Sequence, residues 1–212
     1  TYTCVLKACS YTKEVDKGKQ IHEEILRKGL LLKHNVLGHA LANMYARCTS
    51  PTKAHVILHE LPVRDVVSWS ALISGYANHG HLEMAKHYFQ KLWNEGIESD
   101  IIAFLSLIYA CSHSGLLQEG CFYFRCMIEE FALLPTMEHY ACVIDMFGRV
   151  GRVDEAADYI DKMPCQPLAN AWRALLGACR IHGDVMKAHE AARASLELEP
   201  ENEVAHILLF NT

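Results

Sequence analysis

Long hydrophobic runs are missing from this chain of 212 residues. Nowhere does it approach the roughly 18 consecutive apolar residues that a helical membrane span needs, so no membrane partner is expected. An excess of basic charge is missing as well: 20 Lys and Arg face 25 Asp and Glu, for a formal charge of −5. That balance argues against coating nucleic acid by bulk electrostatics, while leaving room for a local basic face. Zinc-type C-x-x-C pairs are lacking, because Cys4/Cys9 and Cys121/Cys126 are each separated by four residues. The nine cysteines are odd in number and lie within apolar helical runs, which points to a reducing compartment. Phosphate-binding G-x-x-x-x-G-K-[ST] and nucleophile-elbow G-x-S-x-G signatures are absent. His55 and His59 stand at i and i+4, but the sequence supplies no third ligand. The expectation is therefore no catalytic residue, no metal and no cofactor. The opening "TYTCVLKACSYTKEV" resembles neither a secretory signal nor an Arg-rich transit peptide, so the chain reads as the middle of a longer protein.

What is present is periodicity. Gly80, Gly115, Gly151 and Gly183 recur at spacings of 35, 36 and 32 residues, each between two runs with helical apolar spacing. Each suits the left-handed turn that ends one helix before the next begins. Four residues before the glycine stands Tyr76, Cys111, Phe147 or Cys179, a place expected to pack against the partner helix. Five residues after it stands Ala85, Gly120, Ala156 or Ala188, small enough for close helix approach. The frame extends upstream with Thr49 at the glycine place and Ala54 at the small-residue place, then with Lys13 at the glycine place. The expected fold is all-α: a right-handed α-solenoid superhelix of about six helix-turn-helix repeats, in which each hairpin buries its apolar face on its neighbours. Trp69, Trp93 and Trp172 are expected in the inter-helix core.

The unit "VVSWSALISGYANHGHLEMAKHYFQKLWNEGIESD" (66–100) resembles a pentatricopeptide repeat of land-plant organellar proteins. Unit lengths alternate in the manner of the subclass with P, L and S repeats, with L-like 1–34, S-like 35–65, P-like 66–100, L-like 101–136 and a terminal S-like unit at 137–168. Residues 169–212 resemble the tetratricopeptide-like E-type extension of the same subclass, incomplete at its C-terminus. Such proteins are site-recognition factors for cytidine-to-uridine editing of mitochondrial and chloroplast transcripts, so the resemblance implies an organellar address and a single-stranded RNA partner. It also implies possible docking of editing-complex proteins on 169–212. Many relatives continue into a deaminase domain. Here His22-Glu23-Glu24 satisfies H-x-E by chance, with no C-x-x-C after it. The alternatives are a helical scaffold for protein partners and an RNA stabilisation or splicing factor.

In the family, the fifth and last residues of a repeat read one base and the second residue sandwiches it. The resemblance assigns Ser70 with Asp100 as a reading pair, a combination that implies guanine, and His39 with Asp65, where His39 departs from the usual Asn, Ser or Thr. It further assigns Thr3 with His34. The clamps would be Val36, Val67 and Ile102. Leu105 with Thr136 and Ala141 with Leu168 hold corresponding places, and Leu105, Ala141 and Leu168 cannot discriminate bases by hydrogen bonding. Lys7, Arg47, Arg149, Arg173 and Arg180 give the first helices a basic bias suited to phosphates. A plainer role competes: Ser70, Asp65 and Asp100 also stand where helix caps belong.

Overall fold

The computed structural model describes residues 2–31, 35–48, 51–61, 65–164 and 166–201. All regular structure among them is α-helical. The helices pair along the chain: α1 (Tyr2–Thr12) with α2 (Val15–Arg27), α3 (Asn35–Cys48) with α4 (Pro51–Glu60), and α5 (Val66–Asn78) with α6 (Leu82–Asn94). They continue as α7 (Ile101–Ser114) with α8 (Leu117–Glu129), α9 (Met137–Arg149) with α10 (Val153–Asp161), and α11 (Ala169–His182) with α12 (Val185–Leu198). Two compact units, 1–110 and 111–212, divide the chain within α7.

In the first unit α3 packs on α1 and α5 packs on α3, α2 and α4 each lie against the first helix of their own pair and of the next, and α6 lies against α5. In the second unit α9 contacts α8, α10 and α11, and α11 pairs with α12. The fold class is thus the all-α helical repeat that the spacing predicts, and within each unit neighbouring pairs pack on one another.

The glycine turns take the expected backbone. Gly80, Gly115, Gly151 and Gly183 have φ of 76°, 70°, 79° and 75°. The following N–H reaches back to the carbonyl of the residue four before the glycine: His81 to Tyr76 at 2.9 Å, Leu116 to Cys111 at 2.9 Å, Arg152 to Phe147 at 2.9 Å and Asp184 to Cys179 at 3.0 Å. This satisfies a carbonyl that the helix end would leave orphaned. The same four residues are buried, so one position both closes the turn and fills the core. Lys13 stands at that place in the first pair with φ of 57°, and Glu14 N–H donates to Cys9 O at 3.2 Å. A lysine there accepts a left-handed strain of about 1–2 kcal/mol that glycine avoids. Thr49 lies outside the described residues.

The small residues after the turn are all buried, Ala54 and Ala85 in the first unit and Gly120, Ala156 and Ala188 in the second. Gly18 occupies the same place in the first pair, where an added Cβ would fall 2.6 Å from Met44 Cε. Of the tryptophans, Trp69 is buried at 2% exposure, Trp172 is intermediate and Trp93 is 38% exposed. Trp93 is therefore not core. It lies one position beyond buried Leu92 and meets Phe89 edge-on at 6.1 Å, a rim position that helical spacing alone does not separate from the interior.

Cys9, Cys111, Cys126 and Cys179 are buried and pack as small hydrophobes, and burial pushes the thiols of Cys142 and Cys179 up to about 12 and about 11. At pH 8 Cys142 would be almost wholly in the unreactive thiol form. Alkylation followed by peptide mass mapping at pH 8 is expected to label exposed Cys4 first and to leave Cys142 and Cys179 unmodified until the protein unfolds.

Candidate nucleic-acid interface

In the first unit α1 and α3 face each other with stripes at every fourth residue. In the first unit, Thr3 and Lys7 of α1 form one side of a cleft of about 410 Å³, and His39, Asn43 and Arg47 of α3 form the other. Val36 and Val67 complete the lining, and both are largely exposed, at 67% and 54%. Ile102 at the start of α7 is 55% exposed. Three apolar side chains are thus held out to solvent at successive first-helix starts. The sequence singled out these three as clamps.

Two of the residue pairs that the sequence assigns to base reading meet across 26 to 30 residues of chain. Ser70 Oγ donates to Asp100 Oδ1 at 2.7 Å, and His39 Nδ1 lies 3.3 Å from Asp65 Oδ2. Both aspartates also cap the helix that follows them. Asp65 Oδ1 accepts from Ser68 N at 3.0 Å within a capping box, and Asp100 Oδ1 accepts from Ala103 N at 2.9 Å. Capping and pairing therefore coexist, because a carboxylate has lone pairs for both. The cap fixes the aspartate rotamer, and the partner in the preceding first helix orients its second face.

The two pairs differ in what they leave open. Ser70 is 2% exposed, so it orients Asp100 from behind, and Asp100 Oδ2 makes no hydrogen bond among the described residues. At the other pair both oxygens of Asp65 are engaged, Oδ1 by Ser68 and Oδ2 by His39, while His39 Nε2 is buried without a partner. Thr3 lines the cleft beside His39. His34, its assigned partner, lies outside the described residues. In the second unit, Thr136 makes a capping box with His139, Ala141 is half-buried and Leu168 is 50% exposed.

The basic residues separate by what already neutralises them. Lys7 is exposed on the cleft. Arg47 lies over the Tyr11 ring at 5.0 Å from its centroid, a cation–π contact that holds the guanidinium between two helices without cancelling its charge. Arg149 Nε is 2.7 Å from Asp145 Oδ2, and Ser112 Oγ donates to the same oxygen. Arg173 faces Glu199 at 3.5 Å. Arg149 and Arg173 thus each face a carboxylate, unlike Arg47. Arg180 is exposed. Tyr11 and Asn43 were not singled out from sequence, although the four-residue step from Thr3 to Lys7 and from His39 to Arg47 reaches both. Among the described residues no group of three His, Cys, Asp or Glu could hold a metal ion. His55 and His59 instead pack ring to ring at 4.3 Å, and His55 lies 5.3 Å from Tyr88.

The sequence matches the model of the PPR repeat family over residues 64–113 and the PPR repeat model over 1–30, 102–130 and 138–166. Among curated relatives in Arabidopsis thaliana, the chloroplastic pentatricopeptide repeat-containing protein DOT4 is 43% identical over 211 residues, covering 100% of this chain and 24% of the relative. The chloroplastic protein CRR2 is 40% identical over 209 residues, covering 99% and 32%. The chain thus spans about a quarter to a third of the length of these two relatives. Among solved structures, PPR10 in complex with an 18-nt psaJ RNA element superposes with a TM-score of 0.74 at 14% identity, covering 94% of this chain and 30% of that one. Free PPR10 from maize gives a TM-score of 0.60 at 18% identity, covering 100% and 36%. At these identities the likeness is one of fold.

Proposed function

The chain belongs to the pentatricopeptide repeat family, and from that premise we propose that it binds single-stranded RNA one base per helix pair, as the recognition part of an organellar cytidine-to-uridine editing factor. One observation carries the reading: three exposed apolar clamps, Val36, Val67 and Ile102, flank the polar pairs His39–Asp65 and Ser70–Asp100. Apolar faces that sandwich a base, with polar atoms at its edge, are what single-strand recognition requires. PPR10 binds RNA on the same fold, and relatives carry chloroplastic and mitochondrial names, which supports an organellar address.

The finer assignment follows the alternating unit lengths: L-like 1–34 and 101–136, S-like 35–65 and 137–168, P-like 66–100, and an E-type extension from Ala169. The extension would recruit partner proteins. Ile181 and Met186, at 68% and 82% exposure, support that role, since both are apolar and solvent-facing. The chain supplies recognition and no chemistry of its own.

Binding of synthetic single-stranded RNAs by the full-length protein, against a random-sequence control, tests the proposal; binding no stronger than the control would refute it. The charge pattern sharpens the test. Lys7→Ala and Arg47→Ala are each expected to reduce the slope of log K against log salt by about 0.7, the value for one phosphate contact on a single strand. Arg149→Ala should change the slope little, because Asp145 already engages that charge.

A further inference from the structure

We propose that Cys9 and Cys48 are a thiol oxidation site: exchange with a low-molecular-weight disulfide joins them, and the bond staples α1 to α3 at one end of the cleft between these helices. The proposal stands on the packing of α1 and α3 and does not depend on the RNA-binding reading.

Three observations carry it. First, the two residues meet across 39 positions of chain, with Cys48 Sγ donating to Cys9 O at 3.3 Å. The sulfur of one therefore already lies against the residue it would join. The thiols also act on each other: burial first, and then the Cys9 thiol, hold the Cys48 thiol above its ordinary value, against Arg47 and Lys13. Second, the two differ in access. Cys9 is buried at 2% exposure, whereas Cys48 is half-buried at the last residue of α3. Third, both adjoin the cleft. Ser10 and Tyr11 follow Cys9, Arg47 precedes Cys48, and all three line it. The contacts that join α1 to α3 here are the Cys48 hydrogen bond and the Arg47 guanidinium over the Tyr11 ring at 5.0 Å. A covalent bond would add a fixed spacing to them. Cys9 O also accepts from Glu14 N at 3.2 Å, so it keeps a donor when the Cys48 proton is lost.

The difference in access sets the order of steps. Cys48, as thiolate, attacks one sulfur of the small disulfide; a mixed disulfide forms, and the first small thiolate leaves and takes up a proton from water. Cys9 then gives its proton to solvent and its sulfur attacks Cys48 Sγ, which expels the second small thiolate to be protonated in turn. Two cysteine thiols are thus oxidised by two electrons to one disulfide, and the small disulfide is reduced to two thiols. An added dithiol reverses both steps. Because its thiol is raised, Cys48 reacts faster as pH rises.

The test incubates the full-length protein, without denaturant, in oxidised glutathione at pH 8, then maps unreduced peptides by mass after alkylation. The expected product is a peptide pair joined through Cys9 and Cys48 and separated again by dithiothreitol. Exposed Cys4 on the same helix should carry glutathione alone. Cys9→Ala removes the second step, so glutathione should stay on Cys48. Cys48→Ser, at the half-buried site, keeps a donor for Cys9 O and removes the first step, so Cys9 should stay unmodified. Amide hydrogen exchange in α1 and α3 should slow at least about tenfold in the joined protein. Glutathione retained on Cys48 of the wild type overturns the proposal, as do two free thiols under conditions that modify Cys4. A Cys9–Cys48 bond that forms only in urea overturns it too, and so does one that leaves exchange in α1 and α3 unchanged or faster.

Discussion

Ser70→Asn is expected to move the preferred base opposite the third helix pair from guanine to uracil, with a change in relative affinity of about ten- to a hundredfold. Asp100 Oδ1 is committed to Ser70 Oγ at 2.7 Å and to Ala103 N at 2.9 Å. Oδ2 is the remaining acceptor, and guanine brings N1–H and N2–H donors to it. Ser70 is buried, so it contributes orientation and almost no surface to the ligand. Asparagine is longer and its amide extends past the serine hydroxyl. It would add a donor for a uracil carbonyl while the carboxylate accepts N3–H. A well-placed edge contact discriminates by about 1–3 kcal/mol, which sets the size of the expected change. Competition binding with RNAs that differ at that nucleotide reads it directly. An unchanged ranking of the four bases, with overall RNA affinity retained, would show that Ser70 and Asp100 only cap and pack.

Gly75→Val is expected to destabilise the first unit by about 3 kcal/mol or more. A Cβ on Gly75 would fall 2.5 Å from Ala46 Cβ, 3.0 Å from Ala46 Cα and 3.1 Å from Ala46 O. Two of those neighbours are backbone, so α5 must move away from α3, and the pairs Ser70–Asp100 and His39–Asp65 move with it. Overpacking costs about 1–3 kcal/mol where side chains can yield; here they cannot, and valine adds two methyl groups to the clash. Gly177→Ala is the matched control. It also lies inside a first helix but has nothing within 4 Å of the added Cβ, so it should be neutral or stabilising by up to about 1 kcal/mol through helix propensity. Urea unfolding of both variants separates the cases, and equal midpoints for Gly75→Val and wild type would contradict the close approach.

These two positions show where the sequence was informative and where it was not. Counting from Gly80 locates Ser70 ten residues before and Asp100 twenty after, and the two side chains do meet. The count could not say that Ser70 would be buried behind Asp100, nor that both oxygens of Asp65 would be taken. Gly75 stands out by no spacing rule, because its role depends on Ala46 in a different helix pair. Arg149 and Arg173 look like Arg47 in sequence, yet each faces a carboxylate, whereas Arg47 faces an aromatic ring.

The sequence by itself determined the period, the helix-turn-helix unit, the left-handed turns at four glycines and the places of three apolar residues at first-helix starts. All of these follow from local backbone preference and from apolar spacing along one helix. Tertiary structure decided which polar atoms are already engaged: both oxygens of Asp65 at one pair, Oδ1 of Asp100 at the next. That choice depends on hydrogen bonds between residues 26 to 30 positions apart, and a pattern read along one helix does not contain the distance between two.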